Sequence, residues 1–386
     1  MRFIRNCTLA AMLMAIGAGG LQAQSGATPD DDGTQVTKRN TGAGTTAAEF
    51  LLLGAGAKGM ALGPAYSAMT RDVESLFYNP AALSLMPGAE VAMTVMPYFA
   101  DTRYLWAGAA LPLAGGEYGI GLSVGNFGFN GAPVYTEDDQ ENASQQTYSV
   151  NQTVVGLSFA HSFIDRFSGG ITLKLINDQL GSTSAFGAAV DVGTNYHAEL
   201  AGRPISMAFV IQNLGTGLKH SGSGLDFNAF PETEDPSFPT QGLDPAPARF
   251  EAHEWQLPVV FRFGVAYDVV SAATNRVTLC GYFNEHYNNA PSFGLSGEFA
   301  WTPADVPVSA ALRGSYAYQP DNDLSSQEEV DFASSTSVDN EGLDGLAIGG
   351  GLNFNLSDYA VKADYAWRHF GVLGSRNVFS VGIGWR

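Results

Sequence analysis

The chain has 386 residues, including 46 Gly, and only 15% of its residues are charged. Glycine therefore stands at about twice its usual share of roughly 7%, and charge lies well below the usual quarter or so. The formal net charge of −19 argues against a nucleic-acid partner, because phosphate binding needs a basic surface. No run of about 18 apolar residues exists beyond the extreme N-terminus, so a transmembrane helix is excluded from the rest of the chain.

Residues 1–23 have the pattern of a secretory signal peptide. Arg2 and Arg5 give the positive start, residues 9–18 give the apolar run, and Leu21-Gln22-Ala23 places a small residue at the cleavage point. A membrane anchor is the alternative, which the short apolar run disfavours. We therefore expect an exported protein whose signal peptide is cleaved.

Cysteine and histidine offer no metal site. Cys7 and Cys280 are the only cysteines, and Cys7 lies in the signal peptide, so the mature chain has one thiol and no intrachain disulfide. The six histidines show no metal-ligand spacing. Asp321-Asn322-Asp323 could hold a calcium ion, but a solvated surface loop is the favoured interpretation. No metal and no cofactor is expected.

Two segments follow the signal peptide. Residues 24–46 are polar and rich in Gly, Thr, Asp and Ala, which predicts a disordered linker. Residues 47–88 form a distinct segment that is predicted to be partly helical. Its helix-like stretch runs from Ala65 to Phe77, and Pro80 ends any helix before it.

Gly54, Gly56 and Gly59 match the GxGxxG pattern of dinucleotide-binding turns, and Asp72 lies within reach of the expected acidic position. A nucleotide site requires a strand, a tight turn and a helix inside a parallel sheet. The residues downstream are typical of antiparallel strands, so they provide no such sheet. A glycine-rich turn that lets backbone pack closely is the favoured interpretation.

From Glu90 to the last residue the apolar pattern has period two. In the stretch 118–125, every second residue is apolar and its partners are Gly or Ser. Such alternation, repeated over segments of about ten residues, indicates transmembrane strands with lipid on one side and a lumen on the other. Fourteen segments centre near residues 93, 107, 122, 156, 173, 189, 208, 263, 280, 296, 312, 348, 363 and 380. Residues 89–386 are therefore predicted to be an all-β transmembrane antiparallel β-barrel of about 14 strands in the outer membrane of a Gram-negative bacterium.

Loop lengths and loop charges support this count. The long connections 128–149, 214–256 and 319–341 follow odd-numbered strands, whereas connections after even-numbered strands, such as 355–357, are short. This is the pattern of long cell-surface loops and short periplasmic turns. Loop 319–341 has seven acids and no base, and loop 128–149 has four acids and no base. Much of the negative charge is therefore expected at the cell surface.

The charged residues within the strands fall on the phase that faces the lumen. A charge facing lipid at mid-membrane costs roughly 2–4 kcal/mol for Arg or Lys, so this phase is the expected one. Ion pairs that fill a narrow interior are the favoured interpretation, and a charged clamp along a ligand path is the alternative. These residues are Lys174, Asp191, Arg262, Glu298, Arg313, Lys362, Asp364 and Arg368.

The last strand carries its apolar residues on one face, from Phe379 to Trp385. A terminal aromatic strand of this form resembles the assembly signal of outer-membrane barrels. The aromatic residue is second to last here, because Arg386 follows it.

No catalytic residue is expected. Gly121-Leu-Ser123-Val-Gly125 matches the GxSxG nucleophile elbow, which requires a sharp strand-to-helix turn. Ser123 lies instead in the middle of an alternating strand, where a small lumen-facing filler is predicted. No Ser/His/Asp set can be assembled, so the chain is not expected to be an enzyme.

The segment 47–88 resembles the PorV/PorQ family of outer-membrane proteins, which are relatives of the FadL fatty-acid transporters. The residues that carry the resemblance are the run 50–60, the stretch from Ala65 to Asp72, and Tyr78-Asn79-Pro80-Ala81-Ala82-Leu83. It implies a fourteen-stranded barrel with this segment as a plug or hatch in the lumen. The plug motif would comprise Gly54, Gly56, Gly59, Asp72, Asn79, Pro80 and Ala81.

The resemblance implies two possible functions. Family members serve in type IX secretion, where they receive or help to attach exported cargo, and the acidic surface loops would then meet cargo or secretion-machinery proteins. More distant relatives pass hydrophobic molecules through the barrel wall, which predicts an apolar pocket beneath the plug and a kink or gap in a wall strand. In both cases outer-membrane lipid surrounds the barrel.

Overall fold

The structure is a computed structural model that describes residues 44–135, 139–141, 144–229, 245–319 and 345–385. Signal peptide 1–23 and nearly all of linker 24–46 lie outside these ranges. Fourteen long strands, labelled β1 to β14 in chain order, form the wall. They are Glu90–Pro97, Arg103–Leu113, Tyr118–Pro133, Thr147–Ile164, Phe167–Leu180, Thr183–Leu200, Arg203–Gly215, Val260–Ser271, Asn275–His286, Ser292–Trp301, Val308–Tyr318, Leu346–Asn355, Tyr359–His369 and Ser375–Trp385.

The wall is a closed antiparallel barrel. Each strand pairs with its neighbours in sequence, and β1 closes the ring on β14 with Glu90 opposite Gly384. β7 and β8 also pair directly, although a long connection separates them in sequence, and Gln212 lies opposite Val260. Closure leaves no strand edge unpaired, which is the condition for a sheet to cross a bilayer. The predicted fold and strand number are confirmed.

Side chains alternate across this wall. Along β3, Leu122 and Val124 are 50% and 40% exposed on the outer face, whereas Gly121 and Gly125, which flank them, are buried. Large apolar residues occupy the outer face of the other strands in the same way, for example Leu173, Leu295 and Phe379. This apolar belt is suited to lipid. Within the described residues, no helix is both long and apolar enough to cross a membrane.

Several strands are longer than the sequence pattern predicted. β3 and β4 leave only residues 134–146 as the connection between them, instead of 128–149. The turn expected at 197–202 shrinks to Ala201 and Gly202, which both have positive φ, as a two-residue hairpin turn requires. Backbone pairing continues beyond the apolar belt, where the side chains are polar and the alternation is lost from the sequence.

The long connection between β7 and β8 carries structure of its own. Its described part contains short strands at Leu218–Lys219, Ser221–Gly222, Asp226–Ala229, Ala246–Arg249 and Glu254–Trp255. The predicted calcium alternative at Asp321-Asn322-Asp323 and most of the acidic loop 319–341 lie outside the described residues.

The segment before β1 is a chain of short helices. The α-helices are α1, Ala57–Leu62, and α2, Ser75–Tyr78, and the 3-10 helices are Glu49–Leu52, Gly63–Ala68 and Pro80–Leu85. The helix-like stretch predicted from Ala65 to Phe77 is thus divided. The carboxylate of Asp72 accepts a hydrogen bond from the Glu74 backbone N–H, and its carbonyl accepts one from the Ser75 hydroxyl, which makes a turn before α2.

This segment, called the plug below, fills the lumen from one wall to the other. The 3-10 helix Pro80–Leu85 contacts β2 to β6, the 3-10 helix Gly63–Ala68 contacts β7 to β11, and α1 contacts β10 to β14. Large plug side chains such as Tyr66, Leu62 and Leu83 are completely buried. The core of the molecule is therefore the interface between plug and wall.

Candidate functional site

The Asn79-Pro80-Ala81 motif attaches the plug to the wall. The Asn79 amide donates to the carbonyls of Ser67 and of Thr194 in β6, each at 3.1 Å. Its Oδ1 accepts from the Ala81 N–H at 3.1 Å and so caps the helix Pro80–Leu85. One side chain thereby joins two plug helices and a wall strand.

Two wall glycines make room for this motif. A Cβ on Gly193 of β6 would lie 2.2 Å from Asn79 Oδ1, and a Cβ on Gly170 of β5 would lie 2.5 Å from the Ala81 nitrogen. Both distances are far below van der Waals contact. The high glycine content is explained here by close approach of plug backbone to strand backbone.

Gly54, Gly56 and Gly59 pack against plug side chains. A Cβ on Gly59 would lie 2.2 Å from the Tyr78 ring, and one on Gly54 would lie 2.4 Å from Met60 Sδ. Gly56 has φ of 75° and lies against the carboxylate of Glu74. All long strands of the described chain are antiparallel, so the parallel sheet that a dinucleotide site needs is not formed by them.

Asp72 is the polar centre of the plug. Its carboxylate accepts hydrogen bonds from the Tyr66 hydroxyl and from Lys58 Nζ, the latter at 3.0 Å. Burial opposes ionisation of Asp72, but the charges of Lys58 and Lys362 outweigh it and hold the pKa of this carboxyl well below its usual range. Asp72 therefore remains an anion that neutralises Lys58 inside the barrel.

The eight charged wall residues predicted to face the lumen are buried or half-buried. Lys174 pairs with Asp191 at 2.6 Å, and Lys362 pairs with Glu90 at 2.7 Å. Arg313 of β11 pairs with Glu298 at 2.7 Å and reaches across β12 to Asp364. Six of the eight are thus in ion pairs, and the missed partners are Glu90 and Arg276, which bonds Glu298 at 2.9 Å.

Gly351 explains how Arg313 reaches Asp364. A Cβ on Gly351 of β12 would lie 2.0 Å from Asp364 Oδ1 and 2.8 Å from Arg313 Nη1. The strand between the two partners therefore has to carry glycine at this point. Ion pairs of this kind occupy the lumen rather than line an open path.

The Lys174–Asp191 pair lies at an irregularity of the wall. Between Val190 and Val192 of β6 the register shifts, and two residues of β7, Gln212 and Asn213, lie opposite one residue. Asn213 has φ of 62°, donates its backbone N–H to Asp191 at 2.8 Å, and accepts from Lys174 at 2.8 Å. Strand pairing continues on both sides, so this is a bulge and not a gap.

A ligand-sized cavity lies between the plug and strands β8 to β13, at the end of the barrel where the long loops emerge. It has a volume of about 540 Å³, and we call it the vestibule cavity. The plug contributes Leu52, Phe77 and Tyr78, and the wall contributes Tyr282 and Phe370 among others. A volume of this size falls in the usual range for small-molecule sites.

Arg262 and Arg368 also line the vestibule cavity, and they are the two predicted lumen charges that form no ion pair with a described carboxylate. Arg262 donates to Asn284 Oδ1 at 3.2 Å and lies over the Tyr78 ring at 5.9 Å. Arg368 lies over the Phe370 ring at 5.4 Å. The sequence placed both among the lumen charges but gave no sign that they differ from the rest.

An apolar pocket beneath the plug was expected for passage of hydrophobic molecules. The apolar cavity between Phe50, Leu76 and Tyr104, where the plug meets the wall, has a volume of only about 20 Å³. Ser123 of the GxSxG match lines it from the middle of β3, where no strand-to-helix turn exists. Within the described residues, no group of acids, histidines or cysteines could hold a metal ion.

Comparisons with known proteins agree on the fold alone. No protein-family model and no curated protein sequence matches the chain. The monoaromatic hydrocarbon channel CymD is similar in structure, with a TM-score of 0.50 and 11% identity over 84% of this chain and 97% of that chain. The toluene transporter TbuX of Ralstonia pickettii gives 0.48 and 11%, over 87% and 98%, and a FadL homologue of Pseudomonas aeruginosa gives 0.48 and 12%, over 84% and 96%. The chain therefore shares its fold with CymD, and the comparison extends no further than the fold.

Proposed function

We propose that the protein binds hydrophobic small molecules at the cell surface and passes them across the outer membrane. The vestibule cavity is the observation that carries this proposal. It is large enough for a small molecule, lies at the end of the long loops, and has aromatic and aliphatic side chains of both plug and wall among its polar lining residues. The plug forms its floor, so passage requires the plug to move or to loosen.

Filling the vestibule cavity tests this function. Ala317 lines the cavity near the end of β11, and Ala317→Trp would occupy the space that a ligand needs. Ala304, exposed in the short turn after β10, gives the matched control Ala304→Trp. Uptake of radiolabelled toluene by cells that produce the barrel should fall to the empty-vector rate with Ala317→Trp and stay at the wild-type rate with Ala304→Trp. Equal uptake with and without the wild-type barrel would refute the proposal.

Protein export with surface attachment, as in the PorV/PorQ family, is a second candidate. One observation favours it, on the described part of the loop between β7 and β8. The rings of Phe227 and Phe250 stack at 4.2 Å and are 38% and 62% exposed, and Trp255 nearby in sequence is 43% exposed. Exposed aromatic residues of this kind are typical of protein-binding surfaces.

A pulldown with the intact barrel tests the second candidate. The wild-type barrel should retain an exported protein or a secretion component, and the double variant Phe227→Ser/Phe250→Ser should lose it. Phe129→Ser with Tyr148→Ser, which removes another aromatic pair at the same end, serves as the control. Recovery of no exported or secretion protein by the wild type would exclude this role.

A further inference from the structure

The vestibule cavity has an unbalanced charge. Its described lining contains two guanidinium groups, Arg262 and Arg368, and two imidazoles, His286 and His369, but no carboxylate. Arg376 of β14 lies opposite Arg368 in the strand register and adds a further positive charge nearby. The described lining of this cavity therefore carries a net positive charge, although the chain as a whole carries a net charge of −19.

Arg262 is the residue on which this excess of positive charge mainly depends. It is only 7% exposed, and its Nη1 has no hydrogen-bond partner in the described structure. Buried charged groups are normally paired, because a charge without a partner loses its hydration and gains nothing in return. The other buried lysine and arginine of the described wall strands, Lys174 and Arg313, follow that rule with a carboxylate within 2.7 Å.

The neighbouring carboxylate does not supply the missing partner. Asp191 is already engaged by Lys174 at 2.6 Å and by the Asn213 N–H at 2.8 Å. Arg262 is instead held in place by the Asn284 amide oxygen and by the face of the Tyr78 ring. These contacts orient the guanidinium without neutralising it, and Nη1 stays without a hydrogen-bond partner in a residue that lines the cavity.

We propose that the vestibule cavity binds a compact aromatic carboxylate. The carboxylate would accept hydrogen bonds from Arg262, with Arg368 adding charge from the opposite wall strand, β13. Tyr78, Tyr282 and Phe370 supply ring faces and edges for an aromatic body. A carboxylate matches the planar donors of a guanidinium better than any neutral group does. This inference rests on the proposed function, because it names the class of ligand that the same cavity takes.

Binding of 4-ethylbenzoate and of its neutral methyl ester to the purified barrel, measured by calorimetry against protein-free micelles, tests the inference. The wild type should bind the acid more tightly than the ester. Arg262→Met should weaken binding of the acid about tenfold to a hundredfold, the loss expected for one charged hydrogen bond, and leave the ester unchanged. Arg276→Met, which removes a guanidinium from the opposite end of the barrel, should leave both affinities unchanged.

Thermal unfolding of the ligand-free variants supplies a second measurement. Arg262→Met should unfold at the wild-type temperature or above it, because no carboxylate loses its partner. Arg313→Met should unfold at a lower temperature, because Asp364 loses its base and the buried Glu298 keeps only the more exposed Arg276. Equal destabilisation by both variants would show that Arg262 is ion-paired in the free protein and would overturn the inference.

The outcomes separate this inference from the proposed function. Tight binding of the ester with no preference for the acid would overturn the aromatic carboxylate and keep a site for hydrophobic molecules. Decanoate, a carboxylate without a ring, serves as a third compound. If decanoate binds and 4-ethylbenzoate does not, the ligand is a carboxylate but not an aromatic one, and the inference is overturned. No binding of any of the three compounds would overturn both.

Discussion

At the scale of residues, the wall glycines show how the plug is accommodated. Gly193 lies so close to Asn79 and Pro80 that no side chain fits between them. Gly193→Ala should therefore force the motif away from β6 and destabilise the barrel by about 1–3 kcal/mol, the usual cost of overpacking. Urea unfolding in detergent measures this loss.

Gly281 gives a matched comparison for that experiment. It also lies within a long strand, but the atom nearest to its added Cβ would be Leu295 Cδ2 at an ordinary 3.5 Å. Gly281→Ala should leave the free energy of unfolding almost unchanged. If the two alanine variants unfold at the same urea concentration, close packing against Asn79 is not what requires glycine at position 193.

The sequence could not predict which of the charged residues form ion pairs with one another. Alternation in the strands is a local property, so it placed Lys174, Arg262 and Arg313 on one face of the wall. Ion pairing depends on register between strands and on which intervening residue is glycine, as Gly351 shows for Arg313 and Asp364. Arg262 has no carboxylate partner because Asp191 forms its ion pair with Lys174. No pattern in a single sequence shows this choice of partner.

At the scale of elements, the strands were predictable and the plug helices were not. Each strand repeats a period-two pattern, whereas the stretch from Ala65 to Phe77 was predicted as one helix and is divided by the turn at Asp72. Helices of four to six residues hold no stable structure alone. They are kept in place by burial against the wall, which is a long-range property.

A disulfide between plug and wall tests whether transport requires the plug to move. A Cβ on Gly264 of β8 would lie 3.4 Å from the Ala68 Cβ, close to the separation found in disulfides. Ala68→Cys/Gly264→Cys, made with Cys280→Ala to remove the native thiol, should stop toluene uptake, and a reducing agent should restore it. Each single cysteine variant serves as a control. Uptake that continues through the oxidised double variant would show a path around a fixed plug.

At the scale of the whole molecule, the plug determines where the N-terminal part of the chain lies. β1 begins at the end of the barrel where the turns are short, and Ala89 there accepts a hydrogen bond from the Trp385 N–H at 2.8 Å. The first residue of the plug segment and the residue before it lie at the other end. Ala47 donates to the Gln256 carbonyl at 2.9 Å, and Thr46 accepts from the Asn288 amide at 2.9 Å, both beside the long loops. The chain thus passes through the lumen before it forms the wall.

This path predicts that Gly44 is accessible from the cell surface, because the long loops of an outer-membrane barrel face outward. An epitope inserted between Gly44 and Thr45 should bind its antibody on intact cells. The same epitope in the short turn 272–274 should bind only after the outer membrane is permeabilised. Labelling of the turn on intact cells, with the Gly44 epitope protected, would invert the orientation, and the vestibule cavity would then open to the periplasm. Labelling in the expected pattern places the cavity where a ligand arriving from outside meets it first, before the plug that closes the lumen.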